Sequence, residues 1–383
     1  MEKSFNLEIV NLFQIDKLAI MTAYYNRTFS TVTNLTGVSS IASGLFSNFA
    51  NITSFDFTGI TYIGASAFAG CTGLTKVDLH NNSGIILDYS AFANCYGLTE
   101  LYLPSNFSVS GWGAQFYGCS NLTKVSWPNC TSVPDSLFRF CSKLSDITFL
   151  ENCDSIDSYA FQQCISITKL NSPTLTTIRA QAFDGCSGIS YISLPNLVST
   201  EYDCFYNVGT NLRYISLPQI SVNTRATENA QWLSIAYLPQ TSIAAFYNCT
   251  RLIEAWAPKT RYLGANTFNG CAQLSELYFD DIYGIDNYGV FEYCYALTDL
   301  YLAGPTKPYV GVTLKKPTNT AFRATPIVGG SGHIYVRASL VEDYKQDSDW
   351  AVVSSQIVGL TDEEFAEARE RIETRIKSYN IIE

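Results

Sequence analysis

The chain has 383 residues, of which 47% are hydrophobic and 15% charged, so it can build a continuous core and is not of the disordered class. Its formal net charge of −10 argues against nucleic acid as a partner, because binding a phosphate backbone requires clustered lysine and arginine. No run of about 18 uncharged apolar residues is present, so no membrane span is predicted.

Residues 1–35 are an N-terminal segment that precedes the regular part of the sequence. Its first half is moderately apolar but is interrupted by Glu8, Gln14, Asp16 and Lys17. A signal peptide needs an unbroken apolar stretch after a basic start, and this segment has neither. Either a leader has been removed, or export does not use one. We predict that residues 1–35 are a cap or an attachment segment.

Residues 36–336 carry a repeated motif, Phe-x-x-Cys, whose phenylalanines are mostly 22 to 24 residues apart. The copies are Phe68/Cys71, Phe92/Cys95, Phe116/Cys119, Phe138/Cys141, Phe161/Cys164, Phe183/Cys186, Phe246/Cys249, Phe268/Cys271 and Phe291/Cys294. A fixed period in this range is typical of a stacked solenoid, and solenoids usually bind with an extended face.

The cysteines of this motif are predicted to be small buried hydrophobic residues, as free cysteines often are. A ladder of disulfides between neighbouring repeats is the alternative. Cys130, Cys153 and Cys204 lie outside the motif. One cysteine per repeat is not metal-binding spacing, and the two histidines do not complete a zinc site, so no metal or other cofactor is predicted.

A second motif, L-x-x-L-x-L, follows each Phe-x-x-Cys copy. Alternation in its second half indicates a short strand with one buried face, and the proline that often follows ends the strand. The copies are Leu74/Val77/Leu79, Leu98/Leu101/Leu103, Leu122/Val125/Trp127, Leu144/Ile147/Phe149, Ile189/Ile192/Leu194, Leu212/Ile215/Leu217, Leu274/Leu277/Phe279 and Leu297/Leu300/Leu302, with weaker ones at Ile167, Leu233 and Leu252.

Each repeat is therefore predicted to contain a strand, a turn, a buried Ile or Val such as Ile63 or Val133, and a short turn or helix carrying Phe and Cys. Two stretches depart from this pattern. One repeat between Phe205 and Phe246 lacks its Phe-x-x-Cys, and a Pro- and Lys-rich insertion runs from residue 304 to 320.

The C-terminal part of the chain is different in composition. Residues 337–360 are predicted to form a terminal cap after a last strand. In residues 361–383, Thr361 and Glu364 make a capping box, and Phe365, Ala368, Ile372, Ile376 and Tyr379 fall on one stripe. We predict a charged amphipathic helix that either docks on the last repeat or joins a partner helix.

The A-F-x-x-C-x-x-L-x-x-L-x-L-P units and the closing segment between Thr325 and Trp350 resemble the BspA-like leucine-rich repeats of bacteria, over about residues 36–358. The resemblance implies an α/β repeat fold: a right-handed leucine-rich-repeat solenoid with a concave parallel β-sheet, short turns or helices on its convex side, and here a C-terminal helix. The family is known for cell-surface adhesion and host-protein binding. Similar repeats occur in proteins carried by phages. The resemblance implies no catalytic residues.

The repeat register shows which strand positions point away from the core, namely the third and fifth of L-x-x-L-x-L. From Lys76 to Lys169 the third positions alternate in charge, which is a pattern that supports a sheet. Further along, the outward positions become aromatic and then aromatic beside acidic. These residues are Tyr191, Tyr214, Tyr237, Trp256, Tyr278, Tyr301, Glu254, Glu276 and Asp299.

Stacked carboxylates repel each other, so we interpret this stretch as a partner-binding site with exposed aromatic anchors and an acidic flank. An aromatic ladder that only stabilises the sheet is the alternative. The sequence has no motif of a nucleotide-binding, zinc-protease or serine-hydrolase site, and we predict no enzyme.

The first functional hypothesis is an adhesin-like protein that binds a surface protein or a glycan through the concave face. The second is a structural or host-recognition component of a phage virion, attached through residues 1–35 or 361–383. The first places the protein outside the cell or on its surface, and the second places it in a virion.

Overall fold

The repeats fold as successive turns of a solenoid whose strands are all parallel where they pair. A computed structural model describes residues 5–8, 29–33, 37–208, 211–217, 233, 235–237, 246–257, 259–286, 288–310 and 320–378. The chain divides into two compact units, residues 1–168 with 178–186 and residues 169–177 with 187–383. Residues 223–229, which lie in the repeat without Phe-x-x-Cys, and most of the insertion at 304–320 lie outside the described residues.

The first unit has two rows of strands. The L-x-x-L-x-L motifs form one row, in which Lys76, Glu100 and Lys124 are in register on adjacent strands. The buried Ile and Val positions form a second row of two-residue strands, which the sequence did not indicate. The strands are β1 (Phe5–Glu8), β2 (Phe29–Thr33), β3 (Ser40–Ile41), β4 (Ser54–Phe55), β5 (Tyr62–Ile63), β6 (Lys76–Asp78), β7 (Ile86–Leu87), β8 (Glu100–Tyr102), β9 (Ser108–Val109), β10 (Lys124–Ser126), β11 (Ser132–Val133) and β12 (Ser155–Ile156).

From residue 169 onward the same two rows recur, and the longer strands form one nine-stranded sheet in the order β13-β15-β17-β18-β19-β21-β23-β25-β26. The strands are β13 (Lys169–Asn171), β14 (Thr177–Ile178), β15 (Tyr191–Ser193), β16 (Ser199–Thr200), β17 (Tyr214–Ser216), β18 (Ile235–Tyr237), β19 (Glu254–Trp256), β20 (Tyr262–Leu263), β21 (Glu276–Phe279), β22 (Gly284–Ile285), β23 (Asp299–Leu302), β24 (Tyr309–Val310), β25 (His333–Arg337) and β26 (Ile357–Leu360).

Helices follow the last repeats. Between β25 and β26 lie two 3₁₀ segments, Ala338–Leu340 and Ser348–Gln356, and the short helix α1 (Val341–Gln346). Helix α2 (Asp362–Ser378) follows β26 and has 17 residues. The parallel-stranded solenoid and the C-terminal helix confirm the predicted fold class.

The segment that carries each phenylalanine is a turn rather than a helix. Ser90 and Asn94, two residues before and after Phe92, both have positive φ (54° and 58°), which a continuous helix does not allow. The turn instead hydrogen-bonds to the next turn, because Phe92 N–H donates to Gln115 O at 2.8 Å. The rings of Phe92 and Phe116 stack with centroids 5.3 Å apart.

The cysteines of the motif have a defined hydrogen-bonding role. Cys95 Sγ lies 3.1 Å from Phe68 O, and Cys141 Sγ lies 3.2 Å from Phe116 O, one repeat back in each case. Each thiol donates to a buried carbonyl and fills the small space beside it. The twelve cysteines all lie in the described residues, and within these no disulfide ladder forms. A disulfide joins Cys130 and Cys153, both outside the motif, and the other ten cysteines are buried thiols.

The strand predicted to contain Ile147 and Phe149 does not form. A 3₁₀ segment, Thr148–Asn152, takes its place. The reason is local: Asp146 Oδ1 accepts hydrogen bonds from Thr148 N–H at 3.1 Å and from Thr148 Oγ1 at 2.8 Å. This Asx turn closes the backbone on itself where a strand would pair with its neighbour.

The packing predicts that the ten thiols are inert in the folded protein. Burial raises the pKa of Cys71 to about 12 and that of Cys141 still higher, and only the thiolate is a good nucleophile. We expect an aromatic disulfide reagent at a pH of about 8 to modify none of them in the native chain. In guanidinium all ten should react. Rapid modification of the native chain would contradict this packing.

Candidate functional site

The outward side chains of β19, β21 and β23 include a continuous ladder of aromatic rings. The centroids of Trp256 and Tyr278 are 5.8 Å apart, and those of Tyr278 and Tyr301 are 5.9 Å apart. Tyr335 of β25 continues the stack, 4.6 Å from Tyr301. We call these four residues the aromatic ladder. Strand pairing in register creates it, because equivalent positions of successive repeats lie about one strand spacing apart.

An acidic ladder runs beside the aromatic one. Glu254 pairs in register with Glu276, and Glu276 with Asp299. The Asp299 carboxylate is held at one end by Tyr335 Oη, which donates to Oδ1 at 2.9 Å, and by Thr298 Oγ1 at 2.7 Å. The three carboxylates repel each other, so this arrangement requires positive charge nearby.

Helix α2 covers both ladders. The helix starts at the predicted capping box: Thr361 N–H donates to Glu364 Oε2 at 2.8 Å, and Glu364 N–H to Thr361 Oγ1 at 3.2 Å. Its apolar stripe, Phe365, Ala368 and Ile372, is buried against the aromatic ladder. Of the two predicted alternatives, docking on the last repeat or joining a partner helix, the structure has the helix docked on the chain itself, across several repeats rather than on the last one alone.

Under the helix, the rings of the ladder are core residues. Trp256 is 1%, Tyr278 3% and Tyr301 8% exposed, and Phe365 packs edge-on against Tyr278 at 6.4 Å between centroids. Burial raises the pKa of both Tyr278 and Tyr301 to about 12. Burying rings of this size contributes about 1.5–3 kcal/mol each, which is the main attraction between helix and sheet.

Two arginines of α2 supply the positive charge that the acidic ladder requires. Arg375 Nε lies 2.6 Å from Glu254 Oε1, and its Nη2 donates to Glu276 Oε2 at 2.8 Å. Arg371 donates from both terminal nitrogens to Glu276, and from Nη2 to Tyr301 Oη at 3.3 Å. The hydrogen bond to Glu276 raises the pKa of Arg371 further. The helix is therefore a charged as well as an apolar partner of the ladders.

Two further ion pairs hold the first turn and the middle of α2 and so fix its direction. Asp362, in the first turn, pairs with Arg337 of β25, and Arg369 Nη2 lies 3.3 Å from Asp280 Oδ2. Burial raises the pKa of Asp280, and Arg369 opposes that rise. The helix thus begins near β25 and crosses the strands towards β19.

The structure distributes the other predicted site residues differently. Tyr191 is half-buried and Tyr214 is buried, and their rings stack at 4.8 Å beyond the stretch that α2 covers. The side chain of Tyr237 lies outside the described residues. The prediction of exposed aromatic anchors does not hold for Trp256, Tyr278 or Tyr301, because α2 covers them. That these residues also bind another molecule stays a prediction.

The sequence predicts the helix and the ladders, but the contact between them was not predicted. The signal was present in the spacing of Arg371 and Arg375. Residues four apart on a helix are about 6 Å apart along its axis, close to the roughly 4.8 Å between strands, so two such arginines can face two successive carboxylates. Together with the carboxylates of Glu254 and Glu276, this spacing indicates that the helix docks on the sheet.

The lysines among the alternating charges of the first unit contact groups other than the acidic residues on adjacent strands. Lys76 pairs with Asp78 of its own strand, Nζ to Oδ2 at 2.8 Å. Lys76 and Lys124 lie over the Tyr102 ring, 4.6 and 5.3 Å from its centroid. The two lysines thus contact one ring from the strands on either side of it.

Among the described residues, no group of three or more His, Cys, Asp or Glu side chains is arranged to hold a metal ion. None of the helices there is long and apolar enough to cross a membrane.

Comparisons with known proteins agree with this architecture. The family model described as "BspA type Leucine rich repeat region" matches residues 20–114, 113–235 and 236–308 in six copies, and the chain belongs to this family. Comparison with curated proteins gives no match. Leucine-rich repeats of this kind are typically binding scaffolds without enzymatic activity, which indicates a protein-binding role.

Among solved structures, a leucine-rich repeat protein from Bacteroides ovatus matches with a TM-score of 0.58 at 18% identity, covering 88% of this chain and 85% of that one. A leucine rich cell surface protein from Faecalibacterium prausnitzii matches with a TM-score of 0.38 at 16% identity, covering 78% and 82%. The pneumococcal vaccine antigen PcpA matches with a TM-score of 0.37 at 17% identity, covering 87% and 78%. The first match supports the fold.

The ion pairs predict a measurable coupling between α2 and the sheet. In a double-mutant cycle of Glu276→Gln and Arg371→Met, we expect a coupling of about 1 kcal/mol, since half of the Arg371 side chain is exposed and solvent weakens the pair. Hydrogen exchange of the α2 amides measures the free energy of opening. As a control, Glu342→Gln in α1 should show no coupling to Arg371→Met.

The buried tyrosines predict that α2 undocks at high pH. In the folded state the pKa of each tyrosine is raised to about 12 from an ordinary 10.0. Their contribution to the free energy of docking is therefore complete below pH 10 and is lost as the pH rises towards 12. Tyrosinate absorbance and α2 hydrogen exchange should change together in this range. In the variant Tyr278→Phe/Tyr301→Phe, the pH dependence of α2 exchange should become shallower; an unchanged dependence would exclude these two groups as its cause.

Proposed function

We propose that this chain is a non-enzymatic recognition protein that binds a protein on a cell surface through the outward face of its nine-stranded sheet. The proposed site contains the residues predicted from the sequence, from Tyr191 to Tyr301. Membership in a family of binding scaffolds supports recognition over catalysis. The fold supplies the extended face that such recognition uses.

The observation that carries this proposal is the docking of α2 on the two ladders. It identifies a chemistry that this face accepts: an amphipathic helix with an apolar stripe and, beside it, arginines four residues apart. Recognition of a helix in an apolar groove is a recurring mode of protein binding. A partner segment with the same pattern would find the same rings and carboxylates.

A partner that uses this face has to compete with α2. An attached segment acts at an effective concentration on the order of millimolar, so a free partner meets an occupied site. The occupant is a single helix of 17 residues, which is marginally stable in water once it leaves the sheet. Tyr191, which is half-buried beyond the helix, offers a first contact for the partner. In this proposal, α2 raises the affinity that a partner needs in order to bind.

A glycan on the same rings, and the alternative of a phage component attached through residues 1–35 or 361–383, remain predictions from the sequence. The docked α2 favours a protein partner, because the carboxylates of Glu254 and Glu276 are both paired with guanidinium groups of a peptide segment.

The proposal predicts that undocking α2 increases binding at the ladders. The variant Arg371→Glu/Arg375→Glu places acids against Glu276 and Glu254, so the helix should leave the sheet. A synthetic peptide of residues 361–378 should then bind this variant in trans and should not bind the wild type. Fluorescence anisotropy of the labelled peptide measures this binding.

The control is Lys345→Glu/Lys143→Glu, which changes the net charge equally at two exposed positions. An array of bacterial and host surface proteins then tests the function itself. We expect to find ligands that bind Arg371→Glu/Arg375→Glu more strongly than the wild type. Their binding to this variant should decrease when Glu254→Gln/Glu276→Gln is added. If no ligand on the array distinguishes these variants, the ladders are a docking site for α2 alone and the proposed function is wrong.

A further inference from the structure

One turn of the first unit is longer than its neighbours. Four residues separate Val133 from Phe138, and the same number is found in the other regular turns of this unit, whereas six separate Val109 from Phe116. The stacking of Phe116 on the neighbouring phenylalanines is retained, so the extra residues are accommodated outside the core. They contain Trp112.

Trp112 is held outward by the backbone around it. Its side chain is 89% exposed, the highest exposure of the large hydrophobic residues in the described part of the chain. Gly111 and Gly113 on either side have φ of 71° and 85°. A Cβ on Gly113 would lie 2.1 Å from Asp135 O, so the loop is pressed against the next turn. A large ring that adds nothing to the core, on a closely fitted backbone, is typical of a recognition element.

Beside Trp112 the turns line a cavity of about 720 Å³ that is open to solvent. That volume is within the range of small-molecule sites, about 300–1,000 Å³. Its wall combines rings with charged groups from four successive turns. The residues that matter here are Tyr89, Trp112, Tyr117, Asp135, Arg139 and Tyr159.

The polar groups of this cavity have hydrogen-bonding capacity left over. Asp135 Oδ1 accepts from Ser136 Oγ at 2.6 Å, which leaves further acceptor positions on its carboxylate. The Arg139 guanidinium lies over the Tyr159 ring, 5.0 Å from the centroid, and has no ion-pair partner among the described residues. Its Nε–H likewise lacks an acceptor within that part of the chain. The cavity therefore holds one fixed donor group and one fixed acceptor group between aromatic rings.

We propose that this cavity binds a neutral pyranose sugar of a glycan. A pyranose has a face of C–H groups, which suits Trp112 and Tyr89, and a rim of hydroxyls that both donate and accept. The hydroxyls can donate to Asp135 and accept from Arg139. A quaternary ammonium ligand fits less well, because the Arg139 guanidinium already covers one ring. An anionic sugar would meet Asp135. This site lies in the first unit and does not depend on the function proposed for the ladders.

The test uses the full chain on an array of neutral and sialylated glycans, followed by titration of methyl pyranosides of the bound type. Saturation-transfer NMR should place the sugar C–H face against an indole, with a Kd on the order of 1 mM for a monosaccharide. Trp112→Ala should weaken binding by about tenfold, and Asp135→Asn by a smaller factor. Because Trp112 is exposed, its replacement should leave circular dichroism and thermal unfolding unchanged. The matched control, Tyr288→Ala, removes another exposed ring and should bind the sugar as the wild type does.

Four results would overturn the proposal. The first is no neutral glycan bound on the array at any concentration tried. The second is sugar binding that is equal in wild type and Trp112→Ala. The third is binding of choline, used as a quaternary ammonium probe, in place of sugars. The fourth is a rise in sugar binding in Arg371→Glu/Arg375→Glu, which uncovers the ladders. That result would place the sugar on the ladders instead, so this variant separates the two sites.

Discussion

The structure depends on the hydrogen-bonded stacking of one turn on the next. Backbone N–H groups such as that of Phe92 donate to the following turn, and thiols such as Cys95 donate back to a carbonyl of the preceding one. These bonds hold equivalent residues of neighbouring repeats in register. As a result, each side chain of the repeat lies about one strand spacing from the equivalent side chain of the next repeat. This arrangement stabilises stacked rings and aliphatic chains and destabilises like charges.

The acidic ladder follows from that constraint. Glu254 and Glu276 face each other on adjacent strands, which an isolated sheet would not favour. Arg371 and Arg375 resolve the repulsion, and the apolar stripe of α2 removes the neighbouring rings from water. A surface whose composition resembles a binding site is thus already bound. Its partner is part of the same chain, and another partner has to offer the same chemistry.

Departures from the repeat are where the chain gains features that packing does not require. The turn before Phe116 keeps its ring in the stack and places its extra residues outside, with Trp112 in solvent. The strand lost at Asp146 is a similar departure, caused by one side chain that bonds to the backbone two residues on. A solenoid tolerates both, because each turn contacts only its neighbours.

The sequence alone determined the fold of this protein, its register and the amphipathic helix, because a period of 22 to 24 residues and a capping box are local patterns that stacking makes unambiguous. It also found the side chains of the ladders, such as Trp256 and Glu276. Only the tertiary structure decided that these side chains are covered, since the contact between Arg371 and Glu276 joins residues 95 positions apart. The cavity beside Trp112 was likewise beyond the sequence, because four turns have to stack before its walls exist.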